Sequence, residues 1–297
     1  MALYPLRFKP RLKERIWGGE SLAAKCGTRS SKGRRYGESW EISGVEGDLS
    51  VVSNGMFKGN DLQEMVEVYM GDLVGEKVYD KFGIEFPLLV KHIDTAALLS
   101  IQVHPDDELA AERHNSYGKT EVWYVTECED GASLYLGLKK GVTRAQYLDA
   151  VVAGTLPQLL QKYEVHAGDA FFIPAGTIHA IGKGIKVVEI QQTSDITYRI
   201  FDWNRVDDKG MPRQLHTALA IDAIDFDSDV QYVLNCPPQK NAAVKIVECP
   251  YFTANLLQVD DTVERDFSSL DSFVIYICVS GTVTLSCQGA EEPLSKD

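Results

Sequence analysis

Leu99-Ser-Ile-Gln-Val-His-Pro, residues 99–105, is the stretch on which the reading of this chain turns. Apolar and polar residues alternate in it, the period of a strand whose successive side chains point to opposite faces. Gln102 and His104 therefore share one face, and Ile101 and Val103 share the other. An amide oxygen and an imidazole so placed can serve one metal ion. Lys119-Thr-Glu-Val-Trp-Tyr opens a second strand pattern, in which Lys119 and Glu121 share a face. His179 follows a tight Pro/Ala/Gly turn in Ile173-Pro-Ala-Gly-Thr-Ile-His-Ala, at the start of a further strand. Two imidazoles and one carboxylate, each at or near a strand, make a donor set for a divalent metal.

Strand signals dominate the surrounding sequence. Runs rich in Val, Ile, Phe, Tyr and Thr occupy residues 86–90, 98–103, 121–125, 133–138, 170–173, 186–191 and 197–201. Many short strands between Gly, Pro and Asp punctuation predict a β-sandwich or barrel, not a βαβ fold. Helices are few. Leu62, Met65, Val66 and Tyr69 recur at helical spacing within residues 61–69. Residues 105–115 open with Pro and two Asp, whose carboxylates meet the positive end of a helix dipole. Thr143 with Gln146 is a capping box that opens a helix through about residue 152. These read as helical insertions on an all-β core. A second β-rich segment follows Pro237-Pro238, with strands over residues 242–259 and 273–285 and a turn at Ser280-Gly281. The boundary near residues 225–241 divides the chain into domains 1–240 and 241–297.

Composition narrows the function. The 297 residues allow two domains at roughly 100–200 residues each. Asp and Glu total 43 against 30 Lys and Arg, a formal charge of −13. Such a surface lacks the basic density that phosphate-backbone binding needs, so no nucleic-acid partner is expected. The longest apolar run, residues 273–279, is far shorter than the ~20 residues that cross a bilayer. Residues 1–10 carry no apolar signal-peptide core. No membrane partner is expected. The six cysteines include no CxxC pair, and the chain has no Asn-x-Ser/Thr acceptor. Both features predict a reducing cytoplasm, with the thiols as buried small hydrophobes. The four tryptophans (Trp17, Trp40, Trp123, Trp203) read as core or pocket-wall aromatics, and His166 as structural. No partner is evident for His92, His114 or His216, and the Arg34-Arg35 pair reads as solvated.

Five motifs in order carry a family resemblance. They are Gly37-Glu-Ser-Trp-Glu-Ile-Ser, Leu99-Ser-Ile-Gln-Val-His-Pro, Gly118-Lys-Thr-Glu-Val-Trp-Tyr, Pro174-Ala-Gly-Thr-Ile-His-Ala-Ile-Gly and Glu189-Ile-Gln-Gln-Thr-Ser-Asp-Ile-Thr-Tyr-Arg-Ile-Phe-Asp-Trp. Together they resemble type I mannose-6-phosphate isomerase in its short bacterial form, from about residue 4 to residue 217. The resemblance implies a double-stranded β-helix, or cupin barrel, holding one zinc ion per chain through Gln102, His104, Glu121 and His179. It implies an essential Arg199, and it associates Ser100 and Lys119 with the substrate phosphate or with proton transfer. Glu41, in the first motif, joins the candidate substrate-binding residues.

A catalytic zinc keeps an open position and polarises a sugar oxygen as a Lewis acid. Isomerisation also needs a base and a cation for the enediolate, and Arg199 suits the second task. Lys119, its pKa depressed by metal and arginine, is the favoured base, with Glu41 and Glu189 as alternatives. The partner implied is a small phosphosugar, bound by a monomer or weak homodimer. A near-dianion meeting a −13 protein requires a pocket of locally inverted potential, which zinc, Arg199 and Lys119 would supply. Two rivals remain. His104, Glu121 and His179 also compose the facial triad of a non-haem iron oxygenase, and a catalytically silent sugar-binding cupin would keep the barrel alone. The family ends in a second cupin-like barrel, which here stops short of a closing Gly-Asp…Ile-Pro strand. The second domain is therefore expected to be incomplete, with residues 273–279 as an edge to be covered by a partner or by the helices.

Overall fold

The computed structural model describes residues 3–25, 34–207 and 209–296. Cys26 and residues 30–33 beside the Arg34-Arg35 pair lie outside the described residues. The chain is mostly β. In order the strands are β1 (Arg11–Gly19), β2 (Tyr36–Ser43), β3 (Leu88–Asp94), β4 (Ile101–Val103), β5 (Glu121–Cys128), β6 (Ser133–Leu138), β7 (Leu160–Glu164) and β8 (Ala170–Ile173). There follow β9 (His179–Ala180), β10 (Ile185–Gln192), β11 (Tyr198–Phe201), β12 (Val233–Leu234), β13 (Ala243–Glu248), β14 (Thr253–Leu257), β15 (Thr282–Cys287) and β16 (Ala290–Ser295). The helices are α1 (Ser21–Lys25), α2 (Leu62–Tyr69), α3 (Gly71–Val74), α4 (Glu76–Phe82), α5 (Asp107–His114), α6 (Arg144–Ala153) and α7 (Thr217–Ala223).

A seven-stranded sheet runs β1-β2-β3-β10-β5-β8-β12, and a five-stranded sheet runs β11-β4-β9-β6-β7. Every paired strand is antiparallel to its neighbour. The two sheets face each other across one core: Ile93, Trp123, Phe171 and Val187 from the larger sheet meet Leu134 and Leu136 from the smaller. β10 sits between β3 and β5, and its Ile-Lys-Val-Val-Glu-Ile sequence is β-branched and largely buried, as a central strand requires. α6 and α7 cover the outer face of the smaller sheet through Tyr147, Ala220 and Ile224. α2 and α3 cover part of the larger sheet's outer face through Leu62, Val66 and Val74. The β13–β14 hairpin covers another part, with Val247 and Ala254 against Val122 and Phe172.

The capping box read at Thr143 and Gln146 opens α6, and the amphipathic pattern at residues 61–69 is α2, which begins with a reciprocal Asp61/Glu64 box that the sequence reading did not single out. Asp106 caps α5 by accepting from the Leu109 N–H. The runs at residues 133–138 and 170–173 are strands with those bounds. Residues 242–259 fold as the hairpin β13–β14. Residues 273–279 differ from expectation. Residues 273–277 alternate in burial as a strand would, with Phe273, Ile275, Ile277 and Val279 packed beside Phe86 and Val90, yet the run belongs to no ladder among the described residues. Alternation specifies which side chains go inward, whereas a ladder also requires a partner that the local sequence does not encode.

The five described cysteines are free thiols, but only Cys236 is fully buried and Cys287 is exposed. The expectation of buried thiols is thus corrected for the strands at the C-terminal surface. No described helix is long and apolar enough to cross a membrane.

Candidate active site

Between the sheets lies a cavity of about 470 Å³. Its wall is set by register. In the smaller sheet Gln102 on β4 stands directly opposite His179 on β9, and on its other side opposite Arg199 on β11. Glu121 opens β5 in the facing sheet. The metal-ligating atoms of His104, Glu121 and His179 lie within 4.8 Å of one another, and all three residues are buried. His104 Nδ1 is 2.8 Å from the Ile196 carbonyl, and His179 Nδ1 is 2.9 Å from that of Thr177. A carbonyl only accepts, so each Nδ1 carries the proton and each Nε2 presents a lone pair.

Burial, with the nearby Lys119 charge, drives the His104 pKa well down and that of His179 to about 4, so both rings are neutral. Burial and then the Glu189 charge push Glu121 up against the pull of Lys119. Glu121 Oε1 is buried with no hydrogen-bond partner. An orphaned carboxylate oxygen 3.5 Å from the His179 Nε2 lone pair is costly in a dry interior. The donor set therefore fits a divalent cation, which would satisfy all three groups.

Around the cluster stands a charged network. Lys119 Nζ donates to Glu121 Oε2 (2.5 Å) and to His104 Nε2 (3.0 Å). Lys91 Nζ donates to Glu189 Oε1 (2.9 Å), and Trp123 Nε1 donates to Glu189 Oε2 (2.9 Å). Burial opposes ionisation of Glu189, but Lys119 and Lys91 prevail and depress its pKa. Arg199 lines the same cavity with Arg15 and Arg213. Its guanidinium donates from Nη1 to the Gln214 carbonyl (2.9 Å), while Nε is buried and unpartnered.

Comparison with known proteins shows the family. The family profile "Phosphomannose isomerase type I, catalytic domain" matches residues 5–131. Mannose-6-phosphate isomerase ManA of Bacillus subtilis is 39% identical over 259 residues, 85% of this chain and 79% of that protein. The mannose-6-phosphate isomerase of Streptococcus mutans is 35% identical over 289 residues, 96% of this chain and 88% of that protein. The chain belongs to the type I mannose-6-phosphate isomerase family. In three dimensions the crystal structure of the Bacillus subtilis mannose 6-phosphate isomerase superimposes with a TM-score of 0.74 at 35% identity, covering 84% of this chain and 78% of that one. Mannose-6-phosphate isomerases are aldose–ketose isomerases.

Within this family member the cavity gathers Ser100, Gln102, Lys119, Glu189 and Arg199, beside the buried His104, Glu121 and His179. Gln102 stands at the edge of the cluster. Its Nε2 donates to His179 Nε2 (3.2 Å), and its Oε1 accepts from Ser100 Oγ (3.3 Å). Glu41 is not among the lining residues. The β2–β3 register slips between Trp40 and Ile42, and the Glu41 carboxylate accepts from Ser39 Oγ (2.6 Å). Glu38 and Trp40 face the cavity instead, joined by Trp40 Nε1 donating to Glu38 Oε2 (2.8 Å).

Lys119 also departs from expectation, because its pKa is raised. Burial lowers it, but Glu121 and Glu189 more than compensate. His216 gains a partner, since its Nδ1 accepts from the Arg199 N–H (3.1 Å). Arg15, Glu38, Lys91 and Arg213 belong to the cavity and were missed in the sequence. Choosing the Trp40 face of β2 would have revealed Glu38.

Proposed function

We propose that the chain interconverts mannose 6-phosphate and fructose 6-phosphate through an enediol(ate), with one zinc ion held by Gln102, His104, Glu121 and His179. The observation that carries this reading is the buried His104/Glu121/His179 cluster, with its orphaned carboxylate oxygen, beside a cavity lined by Gln102, Lys119 and Arg199. Zinc so held would polarise the sugar oxygens at the reacting carbons and favour loss of the C2 proton. Gln102 would supply its amide oxygen as the fourth donor. Lys119 carries the proton between C2 and C1. Its raised pKa is owed to Glu121 and Glu189; a metal held by Glu121 would weaken the first of these supports and so favour the neutral amine that a base requires. Arg199 cannot lose its charge and is placed to neutralise the enediolate. Ser100 receives the sugar phosphate.

We read residues 1–240 as the catalytic domain, a double-stranded β-helix with helical insertions, and residues 241–297 as a second cupin-like unit that remains open. The facing antiparallel sheets and the two separate C-terminal hairpins support that division. We place the protein in the cytoplasm, as a monomer or weak homodimer; its five free described thiols suit a reducing compartment.

The test measures fructose 6-phosphate formed from mannose 6-phosphate on chelator-stripped protein, before and after zinc is added. Turnover is expected to vanish on stripping and to return with zinc. Activity untouched by stripping, or none with zinc bound, would refute the reading.

A further inference from the structure

The connection between β11 and α7 is clasped at both ends around the arginine side of the cavity. Asp202 opens it and is 5% exposed. Its Oδ1 accepts from Arg205 Nη2 (2.5 Å) and Arg213 Nη2 (2.5 Å), and its Oδ2 accepts from Arg213 Nε (2.7 Å). The pair with Arg213 is the bidentate fork that fixes a guanidinium in plane. Arg205 also donates to the Leu98 carbonyl, and Trp203 Nε1 donates to that of Leu99 (2.6 Å), which ties the connection to the chain just before Ser100. The far end closes on Arg199 itself, through Gln214 and His216. Trp203 and Asn204 take left-handed φ values of 56° and 55°, a strain that such anchoring must hold.

We infer that Asp202 is a positioning residue: by gripping Arg213 it fixes the arginine wall of the cavity, and so sets affinity for the anionic end of the substrate. Arg213 and Arg199 line one cavity, and Arg15 lines it too, bound to Glu38 (Nε–Oε1 3.0 Å). Like charges converging there repel, and Asp202 opposes that repulsion at Arg199. The inference rests on the phosphosugar reading above, but its test separates the two.

Metal-loaded full-length chain, Asp202→Asn, Arg213→Ala and the double variant are compared in two assays. These are the Kd of inorganic phosphate by calorimetry, and KM and kcat for mannose 6-phosphate. Asp202→Asn is expected to weaken phosphate binding about tenfold and to raise KM similarly, the worth of one charge-assisted hydrogen bond, with kcat within about threefold. On the Arg213→Ala background it should cost less than about twofold, because it acts through Arg213. An unchanged Kd, an equal loss on both backgrounds, or a fall in kcat alone overturns the inference. Phosphate binding that follows this pattern without isomerisation supports the inference and refutes the isomerase reading alone. Should Asp202→Asn fail to fold, Asp202→Glu keeps the charge but shifts it; intermediate phosphate affinity supports the role, and wild-type affinity overturns it.

Discussion

In the proposed mechanism Arg199 is the residue at which metal binding and catalysis come apart. It stands opposite Gln102 across β4 and β11, yet its own bonds run to Gln214 and His216 and not to the His104/Glu121/His179 cluster. Arg199→Ala is therefore expected to leave bound zinc unchanged and to lower kcat about 10²–10³-fold, the usual cost of one group that stabilises developing charge. Zinc content by elemental analysis and steady-state kinetics on the same preparation decide this. A variant that loses its metal would make Arg199 structural, and one that keeps kcat would leave it no catalytic part. The face-sharing pairs Gln102/His104 and Lys119/Glu121 could be read in the sequence because strand alternation alone fixes them. Lys91 and Arg213 could not, because register across β2, β3 and β10 and a long connection bring them to the cavity. Glu41 misled for a related reason. The slip between Trp40 and Ile42 falls at Glu41, so alternation does not place it, whereas Glu38 shares the unbroken Trp40 face.

At the level of elements, helix starts were legible because a cap is a local contract between residues three apart. What α5 does was not. Asp107, in its first turn, accepts from the Gly118 N–H (2.9 Å), from Gln192 Nε2 (2.8 Å) and from the Tyr251 hydroxyl (2.8 Å). One carboxylate thus joins α5, the chain entering β5, the end of β10 and the turn of the β13–β14 hairpin. Burial would raise its pKa, but these three donors hold it below the ordinary value. A folded pKa below the unfolded one contributes stability that is complete above the unfolded value, roughly pH 4, and is lost as pH falls through the depressed folded value. Asp107→Asn is expected to lower the urea midpoint at neutral pH, with the gap to wild type closing on acidification through that window. A gap that persists at the lowest pH would assign the effect to packing instead of charge.

For the whole molecule, the two facing sheets and their helical cover account for the core, and residues 273–279 are where sequence and fold part company. The run holds no charged residue and no proline, the devices that normally guard an edge. Its inward side chains are packed against Phe86 and its neighbours, with Phe273 tilted on Phe86 at 4.6 Å between ring centroids. Among the described residues, however, no backbone N–H from 273 to 279 donates a hydrogen bond. Packing and backbone protection are therefore separable in this one segment. β10 is the opposite case, bonded on both sides along its length to β3 and β5. In amide hydrogen exchange at low protein concentration, residues 273–279 should be fully exchanged while the β10 amides are still protected up to the global unfolding limit. Equal protection of the two segments would mean that the run has found a ladder partner in solution. Fast exchange in β10 would contradict its position at the centre of the larger sheet, on which the alignment of Lys91, Glu189 and Glu121 around the cavity depends.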